Sequence, residues 1–165
     1  MLSAPAPLVA AHEISQFSCG EPLLDAWLRK RALKNELSGA TRTYVVCLDN
    51  EVVGYYSLAV GSIEHQFAPG NIERNMPAPV PVMILARLAV DKRYAGRNIG
   101  AGMVRDALLR TLQAANIAGI RALLVHALNE RAASFYRNLG FRASPFDPRV
   151  LFLALDHAAK RMTLP

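Results

Sequence analysis

Cysteine, histidine and acidic side chains are all scarce in this chain of 165 residues, and each shortage removes a class of function. Cys19 and Cys47 form no C-x-x-C pair, so no disulfide framework is expected. His12, His65, His126 and His157 are scattered without metal-ligand spacing, and no metal is expected. No apolar run reaches the ~18 residues that a membrane span needs. The opening stretch, MLSAPAPLVAAHEIS, has no basic start ahead of its apolar residues, which argues against a secretory signal. The chain therefore reads as cytoplasmic, with no membrane partner. G-x-G-x-x-G and G-K-[ST] are both missing, which removes the Rossmann and Walker nucleotide classes.

The shortage of acid has a positive side. Nineteen Lys and Arg against 13 Asp and Glu leave a net charge of +6. A basic domain attracts polyanions, whether nucleic acid, acidic protein or phosphorylated cofactor, although a charged solubility surface has the same composition. The length fits one domain over residues 1–165 with a proper core.

Local patterns predict a mixed-sheet α/β domain. EPLLDAWLRKRALKNEL (21–37) reads as a helix with Pro22 in its first turn, burying Leu24, Trp27, Leu28 and Leu37. Its outer face carries Arg29, Lys30, Arg31 and Lys34. Runs 43–48 and 52–63 are rich in β-branched and aromatic residues around Asp49-Asn50-Glu51, which predicts a hairpin. Residues 66–81 hold four prolines, show no periodicity and read as a loop. VMILARLAV (82–90) is a buried strand interrupted by Arg87, and a helix is expected from Ile99 to about Ala118. RALLVHAL (121–128) is a strand. A helix follows, capped by Asn129 and stopped at Gly140. RVLFLAL (149–155) closes the fold before a short, part-helical tail.

Between the strand ending at Val90 and the helix starting near Ile99 lies RYAGRNIGAG. The first turn of a helix leaves N–H groups unpartnered, and its dipole favours anions. Small residues let a pyrophosphate approach those groups, and Arg93 and Arg97 add forked donors for its oxygens. A basic surface turn closed by glycine is the other reading of the loop by itself.

RLAVDKRYAGRNIGAGMVRDAL resembles the acetyl-CoA-binding segment of the GNAT-superfamily N-acetyltransferases. The family pattern [QR]-x-x-G-x-[GA] falls on residues 95–100. Gly100 matches, whereas Ala95 and Asn98 depart from it. N-x-x-A-x-x-F-Y-x-x-x-G-F is met in full by Asn129, Ala132, Phe135, Tyr136, Gly140 and Phe141. Over nearly the whole chain, FSCGEPLLDAWLRKRALKNELSGATRTYVV, GYYSLAVGSIEH, LARLAVDKRYAG and SPFDPRVLFLAL are similar to the TacT-like acetyltransferase toxins of type II toxin–antitoxin modules.

The resemblance implies a GNAT-like α/β (α+β) fold: a mixed, mostly antiparallel central sheet flanked by helices. It implies acetyl transfer from acetyl-CoA to the α-amine of aminoacyl-tRNA, a block of translation, a homodimer, and neutralisation by a ribbon–helix–helix antitoxin. Acetyl-CoA would lie along Leu88, Ala89, Val90, Arg93, Gly96, Arg97, Asn98, Ile99, Gly100 and Ala101, with Asn129, Ala132 and Phe135 from the second motif. Tyr136 takes the family's role of general acid toward the CoA sulfur. Arg29, Lys30, Arg31, Lys34, Arg42 and Arg87 are the expected tRNA contacts, with Arg93 extending the patch.

Asn98 decides between a working and a spent cradle. Asparagine tolerates positive φ better than other non-glycine residues, so a left-handed position would accept it. A position brushed by the pyrophosphate would be obstructed by it. The reading adopted is a retained but weakened cradle. Two other functions stay open on sequence alone: acetylation of a small-molecule or protein amine, and a degenerate acetyl-CoA-binding regulatory domain.

Overall fold

The computed structural model describes residues 1–68, 70–73 and 79–156. Among the described residues, seven strands form one mixed sheet in the order β1-β2-β3-β4-β5-β7-β6. They are β1 (Ala6–Pro7), β2 (Arg42–Leu48), β3 (Glu51–Ile63), β4 (Val80–Val90), β5 (Ala122–His126), β6 (Arg142–Ala143) and β7 (Val150–Ala154). The β4–β5 pair is parallel; β1–β2, β2–β3, β5–β7 and β6–β7 are antiparallel. The chain divides into two compact units, one of residues 1–59 and 86–107, the other of 60–85 and 108–165.

The first unit opens with α1 (Pro22–Trp27), which runs through a π-helical turn (Leu28–Ala32) into α2 (Leu33–Ser38). Pro22 sits in the first turn, where its missing N–H costs nothing. Trp27 and Leu28 are buried and Leu24 is partly buried against the same core, as the spacing predicts, but Leu37 is 81% exposed. The π-turn takes more residues per turn than an α-helix, so the apolar stripe is rotated before Leu37 is reached. Gly39, in the left-handed region, ends the helix.

The hairpin of β2 and β3 turns through Asp49, at φ 59°, and bulges between Val46 and Cys47. Phe17, Trp27, Leu28, Val45, Val52 and Tyr55 form the core of this unit, where Tyr55 stacks on Trp27 and meets Phe17 edge to face. The start of α4 (Ile99–Ala115) packs over Gly54 so closely that a Cβ there would lie 3.2 Å from Ile99 and Met103.

In the second unit β4 and β5 pair from Val82↔Ala122 to Leu85↔Val125; the rest of β4, to Val90, belongs to the first unit. Ile72, Val80, Val82, Leu124 and Phe152 are central to its core. The described residues within 66–81 are not all loop. They include the end of a short 3-10 turn (His65–Phe67) and α3 (Gly70–Glu73), and β4 already begins at Val80. The helix expected to about Ala118 ends at Ala115, and the strand expected over 121–128 narrows to Ala122–His126. α5 (Glu130–Asn138) starts at Asn129, whose side chain accepts the Ala132 amide at 2.9 Å, and Gly140 at φ 103° follows it. His157 and the tail beyond it lie outside the described residues.

Candidate active site

The loop from β4 to α4 is fixed at its root by a buried acid. Asp91 is 1% exposed, and its carboxylate accepts from the Ser18 amide at 3.2 Å, the Arg93 amide at 2.9 Å and Arg93 Nε at 3.0 Å. Its own amide donates to the Val53 carbonyl at 2.8 Å, and the Lys92 amide donates to the Ser18 carbonyl at 2.9 Å. Burial alone would raise the Asp91 pKa, but the donors from Arg93 and Ser18 hold it below its ordinary value.

Past this anchor the chain turns twice through the left-handed region, at Gly96 (φ 79°) and at Asn98 (φ 60°). The Asn98 carbonyl then accepts the Gly102 amide at 3.0 Å, closing the first turn of α4. Ile99 is buried, which pins the helix start to the hairpin, while Gly96, Arg97 and Asn98 are exposed. Nothing lies within 4 Å of where a Cβ would stand on Gly96 or Gly102. An open helix N-terminus reached through a left-handed loop presents the kind of backbone donors that an anion such as pyrophosphate requires.

The arginines of the loop are not equivalent. Arg93 is bound to Asp91 at 3.0 Å and to Glu51 at 2.5 Å, so its charge is already balanced by two carboxylates. Half of the side chain is still exposed to solvent. Arg97 stays exposed, lying over the Tyr94 ring with 5.1 Å to the centroid.

In the second unit Tyr136 is 6% exposed and lies edge to face with Phe135 at 5.1 Å and Phe141 at 5.4 Å. Burial among these rings raises its pKa above the ordinary phenol value. Asn129 and Ala132 are joined to each other by the helix cap. Leu88, Ala89 and Val90 stand at the end of β4, past the Leu85↔Val125 pair with β5.

Of the basic residues, Lys30, Arg31 and Lys34 are exposed on the helix. Arg29 donates to the Phe17 carbonyl at 2.8 Å, and Arg42 pairs with Glu36 at 2.7 Å. Arg87, half-buried, stands over the Trp27 ring with its guanidinium carbon 4.1 Å from the centroid, and burial lowers its pKa. Sequence reasoning missed Trp27 as the support of Arg87, and Asp91 and Glu51 as the partners of Arg93. The acid directly after the strand was the one legible signal among them. Cys47 is buried and His126 exposed, and neither belongs to the loop.

Strand, left-handed loop and open helix start define an α/β protein that offers backbone amides to an anionic cofactor. The chain belongs to the acetyltransferase (GNAT) domain family, which matches residues 39–143. It is 50% identical over 156 residues, 94% of either chain, to the tRNA-acetylating toxin of Mycobacterium tuberculosis (strain ATCC 25618 / H37Rv). It is also similar to the solved structure of AtaT complexed with acetyl-methionyl-tRNAfMet, with 28% identity and a TM-score of 0.91 over 99% of this chain and 100% of that one. A mutant of the AtaT toxin bound to the C-terminus of the antitoxin AtaR and to acetyl-CoA gives 28% identity and a TM-score of 0.85, with 98% of each chain covered.

Proposed function

We propose that this chain is an acetyltransferase toxin that moves acetyl from acetyl-CoA to the α-amine of aminoacyl-tRNA, blocks translation and is neutralised by an antitoxin. The likeness to a tRNA-acetylating toxin over nearly its full length supports the substrate. The observation that carries the enzymatic reading is the left-handed backbone at Asn98. Residues 95–98 depart from the family pattern, which favours a degenerate regulatory domain, yet Asn98 keeps a left-handed backbone, which supports a retained cradle. A single catalytic domain, a homodimer, a ribbon–helix–helix antitoxin and a cytoplasmic location belong to the same reading.

When bound, acetyl-CoA supplies the acetyl group and a thiolate leaving group. The amides of residues 96–101, with Arg97, hold its phosphates. Backbone N–H groups of Leu88 to Val90 polarise the carbonyl that is attacked. The α-amine has a free pKa of ~8, so an appreciable fraction is neutral near pH 7 without a strong protein base. Tyr136 stays protonated and delivers its proton to the departing sulfur, while Asn129, Ala132 and Phe135 set the helix that carries it. Lys30, Arg31, Lys34 and Arg87 hold the RNA backbone, joined by Arg29 and Arg42.

Purified protein added to cell-free translation tests this reading. Synthesis should stop only when acetyl-CoA is supplied, and continued synthesis with acetyl-CoA present contradicts it.

A further inference from the structure

Two aromatic rings outside this machinery are left in water. Phe146, 68% exposed, and Phe67, 38% exposed, stand edge to face with centroids 5.7 Å apart. Exposed phenyl rings forgo the stabilisation that burial would give them. Their placement is nevertheless built. Buried Ser144 donates its hydroxyl to the Phe67 carbonyl at 2.7 Å and its amide to the Val150 carbonyl at 2.7 Å. The same hydroxyl oxygen accepts the Phe146 amide at 3.4 Å.

Val150 is the β7 partner of His126, the exposed last residue of β5, and the Ala127 amide donates to the Arg149 carbonyl at 2.7 Å. The ring pair, His126 and exposed Arg149 are thus tied together within the second unit. Asp147 has a carboxylate oxygen accepting the Arg149 amide at 3.0 Å. Among the described residues no carboxylate pairs with the Arg149 side chain.

From this arrangement we infer that Phe67 and Phe146 form a stacking platform for an unpaired base at the 3′ end of RNA, with Arg149 and His126 beside it for phosphate and ribose. The inference rests on the reading of the substrate as aminoacyl-tRNA and adds an RNA contact outside the basic helix. Aromatic faces next to cationic side chains match a single strand, which offers a π-face and a phosphate with every nucleotide. A second copy of the chain is the rival occupant. Two rings bury at most about 300–500 Å², short of the roughly 800 Å² a side of a stable interface.

The test compares binding of two hairpin RNAs, one with a single-stranded CCA 3′ end and one blunt, to the wild type, Phe146→Ala, Phe67→Ala and Phe146→Leu. Removing a ring should weaken the CCA hairpin roughly 5- to 150-fold, the loss of one base–aromatic stack, and leave the blunt hairpin unchanged. Phe146→Leu keeps apolar volume without the ring and should also weaken the CCA hairpin. Acetyl-CoA affinity and acetyl transfer to an aminoacyl methyl ester should not change in any variant.

Equal CCA affinity in the wild type and Phe146→Ala overturns the inference. So does a Phe146→Ala variant that loses dimer mass in light scattering yet keeps its RNA affinity, which assigns the rings to an interface between copies. Because RNA binding is measured apart from turnover, failure of the wild type to acetylate charged tRNA overturns the proposed function, while the binding comparison still decides the role of the rings.

Discussion

The carbonyl of Asn98 accepts the amide of Gly102 at 3.0 Å while Asn98 itself stands at φ 60°. One residue both turns the chain into α4 and closes its first turn. L-residues other than Asn and Asp give up roughly 1–2 kcal/mol in that conformation. For the backbone, the departure from the family's glycine is therefore mild.

Replacing Asn98 separates conformation from obstruction. Asn98→Ala should lower unfolding stability by about 1 kcal/mol, read by denaturant titration, and Asn98→Gly should leave it within about 0.5 kcal/mol. If the side chain crowds the pyrophosphate, Asn98→Gly binds acetyl-CoA more tightly in calorimetry, by up to about tenfold, or 1.4 kcal/mol. A fall in affinity would mean that the asparagine amide itself holds the phosphates.

Removing the Tyr136 hydroxyl should stop chemistry and spare binding. Tyr136→Phe is expected to lower kcat by roughly 100-fold or more, the contribution of a general acid, with acetyl-CoA affinity within about twofold of the wild type. Unchanged turnover would return Tyr136 to the packing role that its neighbours Phe135 and Phe141 already give it.

The buried phenols also predict alkaline lability. Burial raises the pKa of both Tyr55 and Tyr136 in the folded state. Their contribution to stability is fully present below the unfolded value of about 10 and is lost as pH rises toward the folded values, because the unfolded chain then binds fewer protons. Melting temperature should fall above about pH 10, less steeply in Tyr136→Phe. A flat profile to pH 11 would contradict this.

The basic helix should act through phosphates. Alanine at Lys30, Arg31 and Lys34 together should weaken tRNA binding and flatten its salt dependence, by roughly 0.7–0.9 in slope for each phosphate no longer neutralised. Acetyl-CoA affinity should not move. Arg87→Lys keeps the charge but loses the planar guanidinium over Trp27, so weaker binding with a nearly unchanged slope is expected.

What could be read in the sequence was what local chemistry determines. Asn129 caps α5, Gly140 follows it and the 49–51 turn makes the hairpin, because each depends on a few neighbouring residues. Leu37 escaped that logic, since a π-turn upstream rotates the helix face without leaving a mark in the spacing of leucines. Arg93 escaped it too, because one of its carboxylate partners, Glu51, is remote in sequence. The two-residue strands β1 and β6 are too short to show alternation. The loop could be located from its sequence, but whether Asn98 was tolerable depended on a backbone angle.

Mass analysis of charged tRNA after incubation with acetyl-CoA tests the central claim most directly. The wild type should add one acetyl group to the amino acid at the 3′ end of its preferred tRNAs, and Tyr136→Phe should add almost none. Acetyl-CoA binding with no acetylated aminoacyl end on any tRNA would contradict the account and direct the search to another amine.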